Sequence, residues 1–363
     1  MSGPLQGIRI VELASLGPGP HAAMVLADLG AEVVRVEGPA GRRFQFGEPG
    51  SIDSTQRGRR TVFADLKQDA GREQVLALVA ESDVLIEGLR PGVAERLGVG
   101  PEACFAMNPR LVYGRITGWG QTGPWADRVG HDINYIGLTG ALHAIGREGE
   151  APCVPLSLVG DYGGGSMLLL VGILAALVER NSSGLGQVVD AAMVDGTVLI
   201  SQMILALRSM GAWTDDRASN ILDGGAPFYD TYVCADGGYL AVGALEPHFF
   251  AALLDGLGLT LSDVGDPRDR ANWPLMRTQF TRLFESRSRN EWVAHFDGTS
   301  ACVTPVLTFA EAAEHPHLAA RGTFTRGEGG LQASPAPRFS RTPPRSRSDV
   351  HSIEDQPIKG VSR

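Results

Sequence analysis

The first forty residues constrain the fold more tightly than any other stretch. Ile8 to Leu13 (IRIVEL) is a short, β-branched, apolar run of the kind that forms a buried strand. The GPGP of Gly17 to Pro20 breaks it, and HAAMVLADLG continues as a helix that Gly30 can end. Ala31 to Val36 (AEVVRV) is the next strand. Strand, helix and strand in that order make a βαβ unit, so a parallel sheet is the expected core. Val84 to Ile86 and Leu111 to Tyr113 read as further strands, with Asp69 to Ala80 as a helix ahead of them. Glu37 ends the second strand where a ribose-binding acid would sit in a dinucleotide site. The turn, however, is SLGPGPH rather than GxGxxG, and its two prolines remove backbone N–H groups that a pyrophosphate needs. Nicotinamide and flavin are therefore not expected.

At 363 residues the chain has room for two domains. A polar, glycine-bearing stretch from Thr214 to Asp230 marks the expected boundary. The large domain is expected over residues 1–212, completed by the tail 320–363, with a small domain over 213–319. In the small domain, Tyr229 to Cys234 and Tyr239 to Val242 read as strands joined through Asp236-Gly237-Gly238. Pro247 to Leu257 and Met276 to Ser286 read as helices. The net charge of −9 argues against nucleic acid as the main partner. Local basic clusters at Arg42-Arg43 and at Arg57, Arg59 and Arg60 are candidates for a phosphorylated ligand. Four separated cysteines, with no CxxC, make zinc or a disulfide framework unexpected and fit a reducing compartment. No secretory signal is read, and the apolar run Met167 to Val178 is too short to span a bilayer. A soluble, cytoplasmic protein without metal or membrane partner is expected.

The chemistry-bearing residues concentrate between Gly130 and Ser166. His131 offers an imidazole suited to proton exchange near neutrality, although a histidine taken alone is more often a capping or core-satisfied residue. Asp161 opens the run Gly163-Gly164-Gly165 ahead of an apolar helical segment. An aspartate there can cap the helix, while three glycines invite a ligand atom to the backbone, where a helix start stabilises an oxyanion. Glu246 stands at a strand end before Pro247 and reads by itself as a solvated loop acid. Gly118 to Pro124 (GWGQTGP) reads as a binding or dimer loop.

Taken together, GIRIVELASLGPGPHAAMVLADLGAEVVRVE, RGRRTVFADLK, DVLIEGLRPGVAERLG, GWGQTGP, GHDINY, LVGDYGGGS and SSGLGQVVDAAMVDG resemble the family III CoA-transferase superfamily. Within it they look most like the α-methylacyl-CoA racemases, over nearly the whole chain and in order. The resemblance implies an α/β fold: a Rossmann-like parallel-sheet large domain and a smaller α+β domain, with two chains interlocked as a homodimer. It implies a CoA-thioester substrate and no cofactor or metal. It assigns His131 and Asp161 as the acid–base pair, Glu246 as the group that orients the histidine, and Tyr229 as the tyrosine beside the aspartate. CoA contacts are implied at Ala64, Asp65, Leu66 and Lys67, at Gly88, Leu89 and Arg90, at Arg96, and at Gly130, Asp132, Ile133, Asn134 and Tyr135. Where relatives carry a basic residue after the second strand this chain has Glu37-Gly38, so Arg42 or Arg43 is expected to take that phosphate contact.

Inverting a carbon next to a thioester carbonyl requires two acid–base groups on opposite faces. His131 and Asp161 answer that need, and partial burial is expected to raise the Asp161 pKa. The rival within the superfamily is CoA transfer, in which the matching aspartate is a nucleophile. A transferase needs no second base, and AVGALEPHFF has one glycine where transferases carry a glycine loop, so the racemase reading is favoured. A non-catalytic acyl-CoA binder or a redox protein is the reading from another class.

Overall fold

The computed structural model describes residues 3–39, 51–327, 329–344 and 351–352. These fall into two compact units, the first drawn from 1–139, 156–200 and 322–363, the second from 140–155 and 201–321.

In the first unit six parallel strands form the sheet: β1 (Arg9–Leu13), β2 (Glu32–Glu37), β3 (Arg59–Phe63), β4 (Val84–Glu87), β5 (Val112–Thr117) and β6 (Val188–Ala192). Their order is β3-β2-β1-β4-β5-β6, and the two-residue strand His351–Ser352 adds in parallel beside β3. The chain winds outward from β1 to β3, then returns to β4 on the other side of β1. That reversal is the switch point at which open α/β sheets bind ligands. Helix α1 (Pro18–Asp28) buries Ala22, Ala23, Leu26 and Ala27 against Ile10, Val33 and Ile86. On the opposite face α2 (Asp69–Ala80) buries Val75 and Val79 with Val11, Leu85 and Tyr113. The βαβ expectation is met, and both faces of the sheet are covered.

The strands run longer than apolar patterning indicates, because they carry charges inside. Glu12 on β1 is fully buried and accepts from Arg59 at 2.8 Å and from Arg35 on β2. Arg57 holds Asp28 at 2.6 Å, both buried. Two arginines of the Arg57, Arg59 and Arg60 cluster, expected to meet a phosphorylated ligand, are thus committed inside the fold. Arg115 likewise extends β5 as a buried guanidinium on Glu87, at 2.8 Å. A lone buried charge is costly, but each of these has a hydrogen-bonded counter-charge.

Helix α3 (Asp132–Leu138) follows the loop after β5. Leu158–Ser166 is a π-helix that runs directly into α4 (Met167–Ser183). Asp161 therefore lies within a helix and is not its N-cap, which corrects the capping reading. The glycines also have a packing role. A Cβ on Gly164 would stand 2.7 Å from the Thr197 nitrogen, and one on Gly196 only 1.8 Å from the Gly164 carbonyl oxygen. They let α5 (Met193–Ile200) lie directly on the π-helix. The joined helix Leu158–Ser183 has 26 residues and is long and apolar enough to cross a membrane by length and composition. The sequence reading missed this by counting from Met167, since the glycine-rich stretch does not read as helix. One face, with Leu169, Leu170, Ile173 and Ala176, lies in the core beside β5 and β6.

The second unit holds the antiparallel sheet β7 (Tyr229–Val233), β8 (Tyr239–Gly243) and β9 (Val303–Val306). Gly237, in the left-handed region at φ 76°, makes the expected β7–β8 turn. Helix α6 (Pro247–Leu257) and the helices Trp273–Phe284 and Arg289–Phe296 pack Phe250, Leu253, Phe280, Phe284 and Trp292 against Tyr232 and Leu240. The unit is α+β.

The Gly164–Gly196 contact yields a stability test. Gly196→Ala forces backbone against side chain and is expected to cost about 1–3 kcal/mol, read as a lower urea midpoint. An unchanged midpoint would contradict the close packing.

Candidate active site

A parallel sheet brings every loop that follows a strand to one end. Ser15 to Gly17 follow β1, Ala64 to Lys67 follow β3, Gly88 to Arg90 follow β4, and the loop containing Gly130 follows β5. The segments implied for CoA contact therefore share the carboxyl edge of the sheet, around the β1–β4 switch point. There the Ser15 hydroxyl is buried without a hydrogen-bond partner. A Cβ on Gly19 would stand 2.8 Å from it and one on Gly88 3.1 Å, so only backbone fits on either side. Arg90 and Arg96 are exposed. Arg42 and Arg43 lie outside the described residues.

His131 caps α3 from an extended backbone, with its main-chain N–H donating to Asn134 Oδ1 at 3.0 Å. Its position is set by Tyr135, whose hydroxyl donates to the Gly130 carbonyl. A Cβ on Gly118 would overlap the Tyr135 ring at 2.0 Å and one on Gly130 would approach it to 2.8 Å. Trp119 meets the same ring edge-on, with centroids 4.8 Å apart. The glycines of GWG and GHD thus admit an aromatic wedge that holds the His131 turn. The imidazole itself is exposed.

Asp132, the next residue, turns inward and is 5% exposed. Its Oδ1 accepts the main-chain N–H of Asp161 at 2.7 Å, while its Oδ2 is buried without a partner. Asp161 is half-buried, and a Cβ on Gly17 would stand 3.3 Å from its Oδ2, which places its carboxyl at the β1–α1 turn. Burial pushes the Asp161 carboxyl up to about 6, the charge of Asp132 adds to the rise, and a protonated His131 opposes it. An acid near 6 is well matched to proton exchange with an imidazole, whose ordinary value is about 6.5. His131 and Asp161, thirty residues apart, are brought within electrostatic reach of each other as the sequence anticipates.

Glu246 and Tyr229 belong to the second unit. Glu246 precedes α6, is exposed, and makes no side-chain capping hydrogen bond. Tyr229 pairs with Gly243 across β7–β8 and lines a cavity of about 550 Å³ together with Cys302, Cys153 and Arg147. Burial and then the Glu246 charge raise the Cys302 thiol pKa, so Glu246 and Tyr229 border the same region of that unit. A larger, mainly apolar cavity of about 1110 Å³ in this unit includes Leu245 and Pro247, the neighbours of Glu246.

Sequence reasoning missed His21 and Tyr162. The His21 ring lies 4.8 Å from that of Tyr162, and its Nδ1 is 2.7 Å from Ser166 Oγ. Burial, then Arg57 and Arg59, lower the His21 pKa, which favours a neutral ring. Their only sequence signal is the presence of a polar ring on an otherwise apolar helix. Among the described residues no His/Cys/Asp/Glu group could hold a metal ion.

Residues 5–351 match the family described as CoA-transferase family III. The chain is 48% identical over 342 residues to the α-methylacyl-CoA racemase of Mus musculus, covering 93% of this chain and 87% of that protein. Against the Homo sapiens protein of the same name the identity is 46% over 340 residues, with the same coverage. Among solved structures, a CAIB/BAIF family protein from Brucella suis superposes with a TM-score of 0.81 at 28% identity, covering 96% of both chains.

The raised Asp161 pKa fixes the sign of a stability test. Because the folded pKa, about 6, exceeds the ordinary aspartate value of about 3.9, the native state holds the proton more tightly. This contribution to stability is complete below about 4 and is lost as pH rises through about 6. Asp161→Asn, which cannot ionise, is expected to gain in urea midpoint over wild type at pH 8 relative to pH 4. An equal difference at both pH values would contradict a raised pKa.

Proposed function

This chain belongs to CoA-transferase family III, and from that premise we propose that it is an α-methylacyl-CoA racemase, interconverting (2R)- and (2S)-2-methylacyl-CoA thioesters by proton transfer through an enolate. The observation that carries the reading is the pairing of an imidazole with a carboxyl tuned to about 6 at the edge of the sheet. The racemase names of its close relatives support it.

Neutral His131 takes the α-proton from one enantiomer while protonated Asp161 delivers a proton to the opposite face. In reverse, the Asp161 carboxylate takes the proton and the imidazolium gives it back. The family resemblance assigns Glu246, which is exposed and makes no side-chain capping hydrogen bond, to orienting the imidazole and stabilising the imidazolium. The sequence reading gave the enolate oxygen to the Asp161–Gly165 backbone. The Asp161 N–H is instead bound by Asp132, so that donor is withdrawn from the proposal. CoA lies along the carboxyl edge, with Ala64 to Lys67, Gly88 to Arg90 and the α3 start as its contacts. The buried, unpartnered Ser15 hydroxyl at the switch point supports a polar ligand there. The chemistry needs no further cofactor. Free cysteines, two of them buried, support a reducing, cytoplasmic setting.

We also propose a homodimer. Val171 and Val178 on α4 are 60% and 69% exposed and Leu199 on α5 is 59% exposed, an apolar surface that a monomer rarely leaves open. A second copy covers it better than lipid does, since the opposite face of α4 is packed into the sheet core. Sedimentation is expected to give twice the chain mass at micromolar concentration; a monomer would contradict this part of the reading.

The activity is tested with a single enantiomer of a 2-methylacyl-CoA, with and without a free carboxylic acid acceptor. Racemisation is expected at equal rate in both. His131→Ala is expected to lose about 100-fold or more, and Glu246→Gln a smaller factor, in kcat/KM. Acceptor-dependent formation of a new thioester, with no racemisation, would instead make Asp161 a nucleophile.

A further inference from the structure

Asp132, next to His131, takes no part in the proton transfers proposed above. Its surroundings are more specific than a ligand contact requires. The side chain is 5% exposed, Oδ1 is bonded to the Asp161 amide at 2.7 Å, and Oδ2 is buried with no partner. Gly160 makes room for it, because a Cβ there would stand 2.4 Å from Asp132 Oδ1. An ionised carboxylate this deep ordinarily acquires a cationic partner, as Glu12 and Asp28 do in the same unit. Here the charges that act on Asp161 are Asp132 and His131. The other titratable neighbours are Tyr135 on α3 and Tyr162 on the π-helix, both of whose pKa values are raised by burial and then by Asp161. Asp53 bears on Tyr162, and His21 is turned to Ser166.

Building on the racemase reading, we infer that Asp132 is a positioning residue for the acid–base pair: its carboxylate clamps the Asp161 amide from below and presents an uncompensated negative charge to the Asp161 side chain. The geometry delivers two effects at once. The hydrogen bond fixes where the Asp161 backbone sits relative to the His131 turn, since Asp132 is covalently next to His131. The bare charge disfavours a second negative charge on Asp161.

The benefit lies in proton bookkeeping. The active state of the pair holds one proton, on Asp161 for one enantiomer and on His131 for the other. An ordinary aspartate facing an imidazole of ordinary basicity would carry that proton in only about one molecule in 400. With the carboxyl raised to about 6 that imbalance is much smaller. Burial supplies the larger part of the rise and Asp132 the next. Both directions draw on the same one-proton state, so the kcat/KM profiles for the two enantiomers share one acid limb.

The test is Asp132→Asn, whose side-chain oxygen still accepts from the Asp161 amide while the charge is gone. The acid limb of kcat/KM is expected to move to lower pH by about half a unit or more, equally for both enantiomers. A purely structural role would lower the rate and leave the limb in place, which would overturn the inference. A second measurement needs no activity: ¹³C-carboxyl NMR titration, with Asp161 identified by its loss in Asp161→Asn. A wild-type midpoint near 6 that falls in Asp132→Asn is expected. A wild-type midpoint below about 4.5 overturns the inference even if the Asn variant fails to fold. A protein that titrates as expected but does not racemise would overturn the functional reading and leave the role of Asp132 standing.

Discussion

The close contact between Gly164 and Gly196 is what the arrangement of the first unit rests on. With no Cβ at either position, α5 lies directly on the backbone of the π-helix Leu158–Ser166. A π-helix is wider and less stable than an α-helix and persists where tertiary packing holds it, frequently at functional sites. Held there, it carries Asp161 to the β1–α1 turn on one side and beneath the start of α3 on the other. Larger residues at these positions would separate the two helices and withdraw Asp161 from the switch point of the sheet.

A second constraint is how the fold treats buried charge. In the sheet, Glu12, Asp28 and Glu87 each hold a guanidinium, and these pairs are internal structure. At the site, Asp132 and Asp161 stand together without one, and burial, aided by the Asp132 charge, gives a carboxyl that keeps its proton to about pH 6. The contrast separates the two kinds of acid: a satisfied pair gains nothing from changing protonation, whereas an unsatisfied one is poised to do so.

Much of this was legible in the chain. The βαβ opening gave the parallel sheet because apolar β-branched runs and a proline-started helix have few other uses. The His131 and Asp161 pair was legible as chemistry because imidazole and carboxyl are residue types suited to proton transfer. The function of the glycines was not legible: Gly163 to Gly165 suggest ligand approach, and only the distance to Thr197 and Met193 shows that α5 fills the space. Arg57 and Arg59 were equally opaque, since a basic cluster in sequence looks the same whether its partners are phosphates or the buried Asp28 and Glu12. Asp132 was read through its neighbours as a ligand contact. Its direction, inward to the Asp161 amide, depends on a helix start that sequence spacing does not specify.

The central claim is that two groups on opposite faces move the α-proton, with Asp161 as a carrier. The most direct measurement starts from one enantiomer of a 2-methylacyl-CoA in D2O and follows deuterium at the α-carbon by NMR or mass at early conversion. Two-base transfer is expected to place deuterium in the newly formed enantiomer while the remaining starting enantiomer stays largely protiated. A product that retains its original proton, or equal deuterium in both enantiomers from the first turnovers, would show that a single base works on both faces and would contradict the account.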